Sequence, residues 1–278
     1  MRRARIKGVG SATYHIISRT VAGEYLLTRE EKAAICEIMR KVEAFAGVRV
    51  LTYAVLTTHI HLVLQVPERE EVQDDTLIRR IGALYGEKDA GKIERKIRRL
   101  REKGLDKEAE ELKASYTYRM YDLSEFMKTL KQRISQSYNK RHNRKGTIWA
   151  DRFKSLLIAS SAAKGRFNRP LGVVAAYVDL NAVRAGLVED PARYTFCGYA
   201  DALSGVDTAR NGIVTIVEAL TASPQTWSEA QAVYQSMLQT RNECSTLRTR
   251  IPQFTQGPTV SEADLACLPC DVALPMAS

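Results

Sequence analysis

The chain has 278 residues, 45% hydrophobic and 27% charged, a composition that excludes an intrinsically disordered protein. Its 42 Lys and Arg residues outnumber 32 Asp and Glu. The resulting net charge of +10 indicates a polyanionic partner, with nucleic acid as the first candidate. The longest apolar runs fall far short of the roughly 20 residues that span a bilayer, so we expect no membrane partner.

The N-terminal part of the sequence predicts a strand followed by a helix. Residues 12–21 are β-branched and aromatic, which is typical of a strand. Thr28 followed by Glu31 forms a capping-box pattern, so we expect an amphipathic helix to begin there. Its apolar residues recur at helical spacing as far as Phe45, and Gly47 is placed to end it.

Two strand-like runs and a helical insertion come next. Runs 48–57 and 59–66 are separated by Thr58 alone, which fits either a tight hairpin or a single kinked turn. Residues 69–120 are polar, and their pattern predicts inserted helices. Acidic and basic residues interleave between 92 and 113, as they do on a solvated helix face.

The next segment predicts a helix, a loop, a strand and another helix. Asp122 stands three residues before a Glu and predicts the cap of an amphipathic helix that fades into a polar loop at 143–146. Residues 152–160 read as a strand. A last helix is expected to start near Pro170 and to run to Gly186, because proline is favoured in a first turn and glycine after a last one.

This order of elements predicts an α+β fold, a two-layer sandwich with an antiparallel sheet of the split-βαβ type. We expect one domain over residues 1–200, which includes the insertion 69–120. A C-terminal extension over 201–278 should contain helical pieces near 213–222 and 226–240. The sequence has no glycine-rich loop of the Walker type, so no nucleotide cofactor is expected.

Basic residues concentrate in one part of the chain. Residues 79–155 contain 22 basic and 11 acidic residues, whereas 200–278 contain 4 and 8. Between 128 and 154, nine basic residues stand against one acid and alternate with aromatic residues such as Trp149. Basic side chains neutralise phosphates and aromatic rings stack on unpaired bases. We therefore favour nucleic-acid binding over a merely soluble surface.

Cysteine usage favours a reducing compartment. The five cysteines are an odd number and are scattered, which argues against a disulfide framework. Cys267 and Cys270 form one Cys-x-x-Cys without the second pair that a closed zinc site needs. The basic N-terminus lacks the apolar stretch of a secretory signal, so we expect a cytoplasmic, nucleoid-associated protein.

Two of the four histidines form the sequence His59-Ile60-His61. Residues two apart on a strand project from the same face, so both imidazoles should point the same way. Paired imidazoles can coordinate a divalent ion, although paired core or surface histidines are the commoner explanation of such a motif alone. The flanking residues have the sequence of core strands, so histidines placed there require an explanation.

A second group of polar residues lies in the last predicted helix. Tyr177, Asn181 and Arg184 are spaced i, i+4 and i+7 and share one helix face. Taken alone, Tyr177 would be read as a packing residue. Asn181 is a poor helix former, so a side-chain role is favoured, and its carboxamide oxygen suits Mg²⁺ or Mn²⁺.

Four segments carry a family resemblance. The chain resembles the REP-associated tyrosine transposases, single-tyrosine HUH transposases that act on single-stranded DNA. The matching segments, which follow the family's order, are YHIISR (14–19), THIHL (58–62), GTIWADRF (146–153) and YVDLNAVRAGLV (177–188).

The resemblance implies a ferredoxin-like fold and a 5′-phosphotyrosine intermediate formed at REP-like hairpins, in a monomer or homodimer. By position, Tyr177 is the implied nucleophile, and His59, His61 and Asn181 are the implied ligands of Mg²⁺ or Mn²⁺. His15 is expected to orient or pack rather than to ligate. The residues that we assign to DNA binding are Arg144, Lys145, Trp149, Arg152, Lys154 and Arg184.

The sequence departs from the family pattern at two places and leaves alternatives open. Thr57-Thr58 and Asn181-Ala182 stand where the family usually has Pro-Asn and Asn-Pro, and neither change removes a ligand or the nucleophile. Tyr138 is a rival nucleophile, but its place on an apolar stripe favours packing. The chain could also be a catalytically idle, domesticated DNA-binding protein. A replication-initiator-like nickase is disfavoured, because relaxases commonly have a third histidine nearby and no helicase segment follows here.

Overall fold

The computed structural model of the chain describes residues 10–158, 169–245 and 259–260. The first half contains β1 (Ala12–Arg19), α1 (Arg29–Ala46), β2 (Arg49–Val55), β3 (His59–Val66), α2 (Asp74–Tyr85), α3 (Glu87–Glu102), α4 (Asp106–Thr117) and α5 (Leu123–Arg141). The second half contains β4 (Lys154–Ile158), α6 (Arg169–Asp179), α7 (Asn181–Arg184), α8 (Gly198–Leu203), α9 (Asp207–Thr221), α10 (Trp227–Ser245) and β5 (Thr259–Val260). Short 3₁₀ turns lie at Val21–Gly23 and Pro191–Arg193.

The sheet has the strand order β2-β3-β1-β4, and all three of these pairings are antiparallel. With α1 between β1 and β2, and α5 before β4, the core has the β-α-β-β-α-β arrangement of a ferredoxin-like fold. The short β5 pairs in parallel with β4 at the edge. The predicted α+β fold with an antiparallel sheet is therefore confirmed.

Helices cover both faces of this sheet. One face packs against α1, α5 and the insertion, and its core includes Leu62 and Phe126. The other face packs against α6, α8, α9 and α10, and its core includes Val63 and Val174. Neighbouring residues of β3 enter different cores because side chains alternate along a strand. The C-terminal region thus adds a second helical layer, while the domain boundary at residue 200 stays a prediction.

One irregularity in β2 affects which side chains face this second layer. The pairing of β2 with β3 shifts between Val50 and Thr52, so Leu51 is the extra residue of a β-bulge. Val50 and Tyr53 contribute to the first core, whereas Leu51 contributes to the second. Thr52 also points into the second layer, where its hydroxyl contacts α6. Two consecutive residues of one strand therefore face the same helices.

The predicted ends of two helices have a clear structural basis. Thr28 Oγ1 accepts a hydrogen bond from the Glu31 amide at the start of α1, and Asp122 caps α5 in the same way. Gly47 follows α1 with a φ of 65°, a conformation that favours glycine. Within the predicted insertion 69–120, the three helices α2, α3 and α4 lie between residues 74 and 117, and residues 69–73 are not helical. The two runs around Thr58 form a hairpin, in which the Leu56 amide donates to the His59 carbonyl.

Within the described residues, no helix is both long enough and apolar enough to cross a membrane. Cys36 and Cys197 are free thiols there. The Cys267/Cys270 pair and the N-terminal basic cluster lie outside the described residues.

Candidate active site

The two paired histidines lie at the start of β3, on the face that the C-terminal helices cover. His61 is 2% exposed and pairs in register with Ile17 of β1 and Ala54 of β2. The ring centroids of His59 and His61 are 4.9 Å apart. Both rings project from the same face of β3, as predicted, because side chains two residues apart on a strand lie on the same side.

Each of these imidazoles is oriented through its Nδ1 atom. His61 Nδ1 shares a hydrogen bond of 3.0 Å with Nε2 of His15, and the two rings stack. His59 Nδ1 lies 2.9 Å from the hydroxyl of Thr58. The Nε2 atoms of His59 and His61 make no hydrogen bond with the rest of the described chain. His15 thus orients a neighbour, as predicted, and both Nε2 atoms are available to a ligand.

Burial keeps all three imidazoles neutral at pH 7. Desolvation lowers the pKa of His15 to about 4, and desolvation together with the nearby Arg19 charge lowers that of His59 to about 4. The pKa of His61 falls well below its usual value, first through burial and then through the neighbouring histidines and arginines. Neutral imidazoles have the lone pair that metal coordination requires.

Tyr177 reaches this histidine cluster from α6. Its half-buried ring stands edge-on to two imidazoles, with centroid distances of 5.8 Å to His61 and 5.9 Å to His15. A phenol and a pair of imidazoles that are more than 110 residues apart in sequence therefore meet in one place. A site that combines a nucleophile with neutral nitrogen ligands has the components for metal-assisted covalent chemistry.

Asn181 and Arg184 lie on the next turn and contact Tyr177, as their spacing predicted. Asn181 Nδ2 and Arg184 Nη1 both donate to the Tyr177 carbonyl, at 2.8 and 3.2 Å. The Arg184 guanidinium lies over the Tyr177 ring, 4.9 Å from its centroid. The side chain of Arg184 therefore fixes the ring, although the residue as a whole is exposed.

The helix that carries Tyr177 is not continuous to Gly186, contrary to our prediction. α6 ends at Asp179 and α7 begins at Asn181, with Leu180 between them. Two side-chain donors occupy the carbonyl of Tyr177 at this point. Side-chain amides that bond to the backbone compete with regular helical hydrogen bonds, which explains the interruption.

The donor atoms present fit a divalent cation through the two histidines. The described residues include no group of three or more His, Cys, Asp and Glu side chains that could hold a metal ion. Among the described residues, a third protein ligand at this site would therefore be of another type. The Oδ1 atom of Asn181 is such a donor, because its Nδ2 atom is the one engaged by the backbone.

Four of the predicted DNA-binding residues are exposed cations, and together they are called the basic surface. Arg144 and Lys145 lie in the loop after α5, and Arg152 and Lys154 lie at the start of β4. All four side chains are exposed, and none pairs with a carboxylate of the described residues. Unpaired exposed cations are available for phosphate groups.

This basic surface is attached to the histidine strand by a short loop. Thr20 forms a β-bridge with Trp149, and the Val21 amide donates to the Ile148 carbonyl. The backbone and hydroxyl of Thr20 both donate to the carbonyl of Thr58, the residue before His59. The residues after β1 therefore hold Ile148 and Trp149, which lie between the two pairs of cations in sequence, close to Thr58.

Trp149 does not belong to that surface, contrary to our assignment. The structure places its side chain in the core, 4% exposed, with Nε1 donating to the carbonyl of Lys131 at 3.0 Å. A ring buried in this way is not available to stack on bases. Tyr138 is also buried and stacks on His142, which supports the interpretation of Tyr138 as a packing residue.

Asp179 is a residue of this region to which the sequence analysis assigned no role. Its side chain is fully buried and accepts hydrogen bonds from Thr52 and Tyr234 and from the Tyr199 amide. Burial raises its pKa to about 6, and these donors oppose the shift. A single acid in the apolar stretch 171–180 was the sequence signal that could have identified it.

Comparison with known proteins finds structural neighbours but no sequence relative. No protein-family model and no curated protein matches the chain. A structure described as the REP-associated tyrosine transposase bound to a REP hairpin aligns with a TM-score of 0.45 and 14% identity. The alignment covers 74% of this chain and 87% of that one. A likeness of this size carries no functional argument, so the function is argued from the residues of the site.

Proposed function

We propose that this protein is a metal-dependent single-stranded DNA endonuclease and strand transferase that acts through a 5′-phosphotyrosine intermediate. The observation that carries the proposal is the contact of Tyr177 with the His15–His61 pair. The proposed substrate is hairpin DNA, in line with the family resemblance of the four sequence segments.

In the proposed reaction, the Tyr177 oxygen attacks the scissile phosphorus and the bond to the 3′ oxygen breaks. The phenol proton is released, the departing oxygen takes up a proton, and the products are a 5′-phosphotyrosine and a free 3′-OH. One phosphodiester replaces another, so a 3′-OH can later reverse the step and join strands without a nucleotide cofactor.

Each polar residue of the site has a proposed role in this step. His59 and His61, with Asn181 as third ligand, would hold a divalent ion, which supplies polarisation of the scissile phosphate and stabilises charge on the departing oxygen. Arg184 holds the Tyr177 ring in place. The exposed cations at 144, 145, 152 and 154 neutralise the DNA backbone and position it.

Covalent capture tests this proposal. The protein is incubated with Mn²⁺ and an end-labelled hairpin oligonucleotide that has single-stranded flanks, and denaturing electrophoresis detects the adduct. We expect an adduct with the wild-type chain and with Tyr138→Phe, and none with Tyr177→Phe. Tyr138→Phe is a matched control, because it removes the hydroxyl of the rival tyrosine and keeps its packing.

Two outcomes would contradict the proposal. An adduct that persists in Tyr177→Phe would show that another residue is the nucleophile. Hairpin binding without an adduct, over a full range of Mn²⁺ and Mg²⁺ concentrations, would instead support a catalytically idle DNA-binding protein.

A further inference from the structure

Asp179 lies two residues after Tyr177, at the last position of α6, and its carboxylate has no solvent exposure. The Thr52 hydroxyl lies 2.9 and 2.8 Å from its two oxygens, the Tyr234 hydroxyl donates at 2.6 Å, and the Tyr199 amide donates at 3.2 Å. The carboxylate is therefore surrounded by donors on several sides.

All of these donors are neutral, and Asp179 makes no ion pair within the described chain. A buried carboxylate without a cation is costly, and its cost is offset only while its oxygens accept hydrogen bonds of good geometry. Loss of one donor leaves this desolvated carboxylate with fewer hydrogen bonds, and the remaining donors must then serve both oxygens. The arrangement therefore holds the donors and the carboxylate in one fixed geometry.

The donors belong to three different elements. Thr52 belongs to β2, next to the bulge at Leu51, and its hydroxyl contacts the carboxylate. The Tyr199 amide lies at the start of α8, and Tyr234 belongs to α10. Gly198 allows α8 to approach closely, because a Cβ at this position would lie 2.3 Å from Thr52 Oγ1. The sheet and the helices α8 and α10 thus all contact one residue of α6, the helix that carries Tyr177.

We propose that Asp179 is a positioning residue, which holds the Tyr177 helix against the sheet and makes α8 and α10 part of the active-site framework. This inference rests on the proposed function of Tyr177. Two residues of an α-helix are about 200° apart around its axis, so Asp179 and Tyr177 project from different sides of α6. Asp179 acts on the phenol through the position of the helix.

The test removes one donor and keeps the packing. Tyr234→Phe deletes the hydroxyl that bonds to Asp179. Tyr194→Phe is its matched control, because Tyr194 is also a buried tyrosine of this region, but its hydroxyl donates to the Val55 carbonyl instead. Both variants lose one buried hydrogen bond, so a difference between them is not explained by general destabilisation.

The rate of adduct formation with the labelled hairpin is measured well below the melting temperature, together with hairpin affinity. We expect Tyr234→Phe to slow adduct formation between about 10- and 100-fold at unchanged affinity, because a small displacement of a reacting group has effects of this size. Tyr194→Phe should keep the wild-type rate. Thr52→Val should slow the reaction, and Thr52→Ser, which retains the hydroxyl, should restore it.

Hydrogen exchange tests the positioning role of Asp179 independently of the proposed DNA cleavage. Amide exchange in peptides that cover α6 and α7 is measured by mass spectrometry, and it should be faster in Tyr234→Phe than in Tyr194→Phe whether or not the protein cleaves DNA. A wild-type chain without adduct would refute the proposed function, and exchange alone would then decide the role of Asp179. Equal exchange in the two variants, or a wild-type adduct rate in Tyr234→Phe, would overturn the positioning role.

Discussion

His15 and His61 share a hydrogen bond of 3.0 Å between Nε2 of the first and Nδ1 of the second, although they are 46 residues apart in sequence. Through this bond, Nδ1 of His61 orients the ring, and Nε2 is left to bind a ligand. When Nδ1 carries the proton and donates it to His15, the lone pair of Nε2 is free for a ligand. Partners of this kind tune metal affinity without touching the metal.

We predict that His15→Ala weakens Mn²⁺ binding about 10- to 100-fold, the usual effect of removing a residue that orients a ligand. Isothermal titration calorimetry measures the affinity. His142→Ala is the control, since this histidine bonds to Glu31 and stacks on Tyr138 instead. Equal Mn²⁺ affinity in wild type and His15→Ala would show that the His15–His61 bond has no role in coordination.

The lowered histidine pKa values predict how stability depends on pH. An unfolded histidine takes up a proton near pH 6.5, whereas folded His15 does so near pH 4. Between these values the unfolded state binds more protons, so the free energy of unfolding falls as the pH drops from about 6.5 to about 4. Each such histidine changes the free energy of unfolding by at most about 1.4 kcal/mol per pH unit.

Denaturant unfolding of wild type and His15→Gln at pH 7, 6 and 5, with a chelator present, checks this prediction. The loss of stability towards pH 5 should be smaller in His15→Gln. Asp179, whose raised pKa acts in the opposite direction, is present in both proteins and does not affect the comparison. Parallel pH profiles would contradict the assignment of a low pKa to His15.

The exposed cations around β4 predict a salt-dependent interaction with DNA. Arg152→Ala and Lys154→Ala should each reduce the slope of log K against log salt concentration by about 1, the effect of one lost phosphate contact. Fluorescence anisotropy with a labelled hairpin, at several salt concentrations, measures this slope. Lys96→Ala, on the exposed face of α3, should leave it unchanged. A slope that falls equally in all three variants would indicate nonspecific attraction by total charge.

The buried position of Trp149 predicts a stability effect without a binding effect. Trp149→Phe loses the hydrogen bond to the Lys131 carbonyl and part of the buried ring, so the free energy of unfolding should fall by about 1 to 3 kcal/mol. Hairpin affinity should not change. Weaker hairpin binding at unchanged stability would restore the stacking role that the sequence suggested.

Local signals in the sequence predicted the elements well. The cap at Thr28, the glycine at 47 and the alternation around His61 each depend on near neighbours in the chain, and each appears where the sequence placed it. The predicted face of Tyr177, Asn181 and Arg184 was also correct, since their contacts lie within two helical turns.

Contacts between distant segments explain what the sequence did not predict. The aromatic and basic pattern around Trp149 does not show which way the ring points, and its hydrogen-bond partner comes from α5. The donors of Asp179 lie at residues 52, 199 and 234, and none of these positions is marked by a local motif. The end of α6 is explained by two side-chain donors, from Asn181 and Arg184, that compete with the backbone for the Tyr177 carbonyl. Helix propensity alone does not indicate this end.

The bulge in β2 gives the C-terminal helices contacts from two neighbouring residues of one strand. A regular strand could turn either Leu51 or Thr52 towards the C-terminal helices, but not both. Insertion of a single codon is enough to obtain an apolar anchor and a hydroxyl donor side by side. Removal of Leu51 would restore the regular alternation and leave Thr52 facing the C-terminal helices. A homologue in which this strand is one residue shorter should therefore keep the hydroxyl donor to Asp179 and lose the apolar anchor.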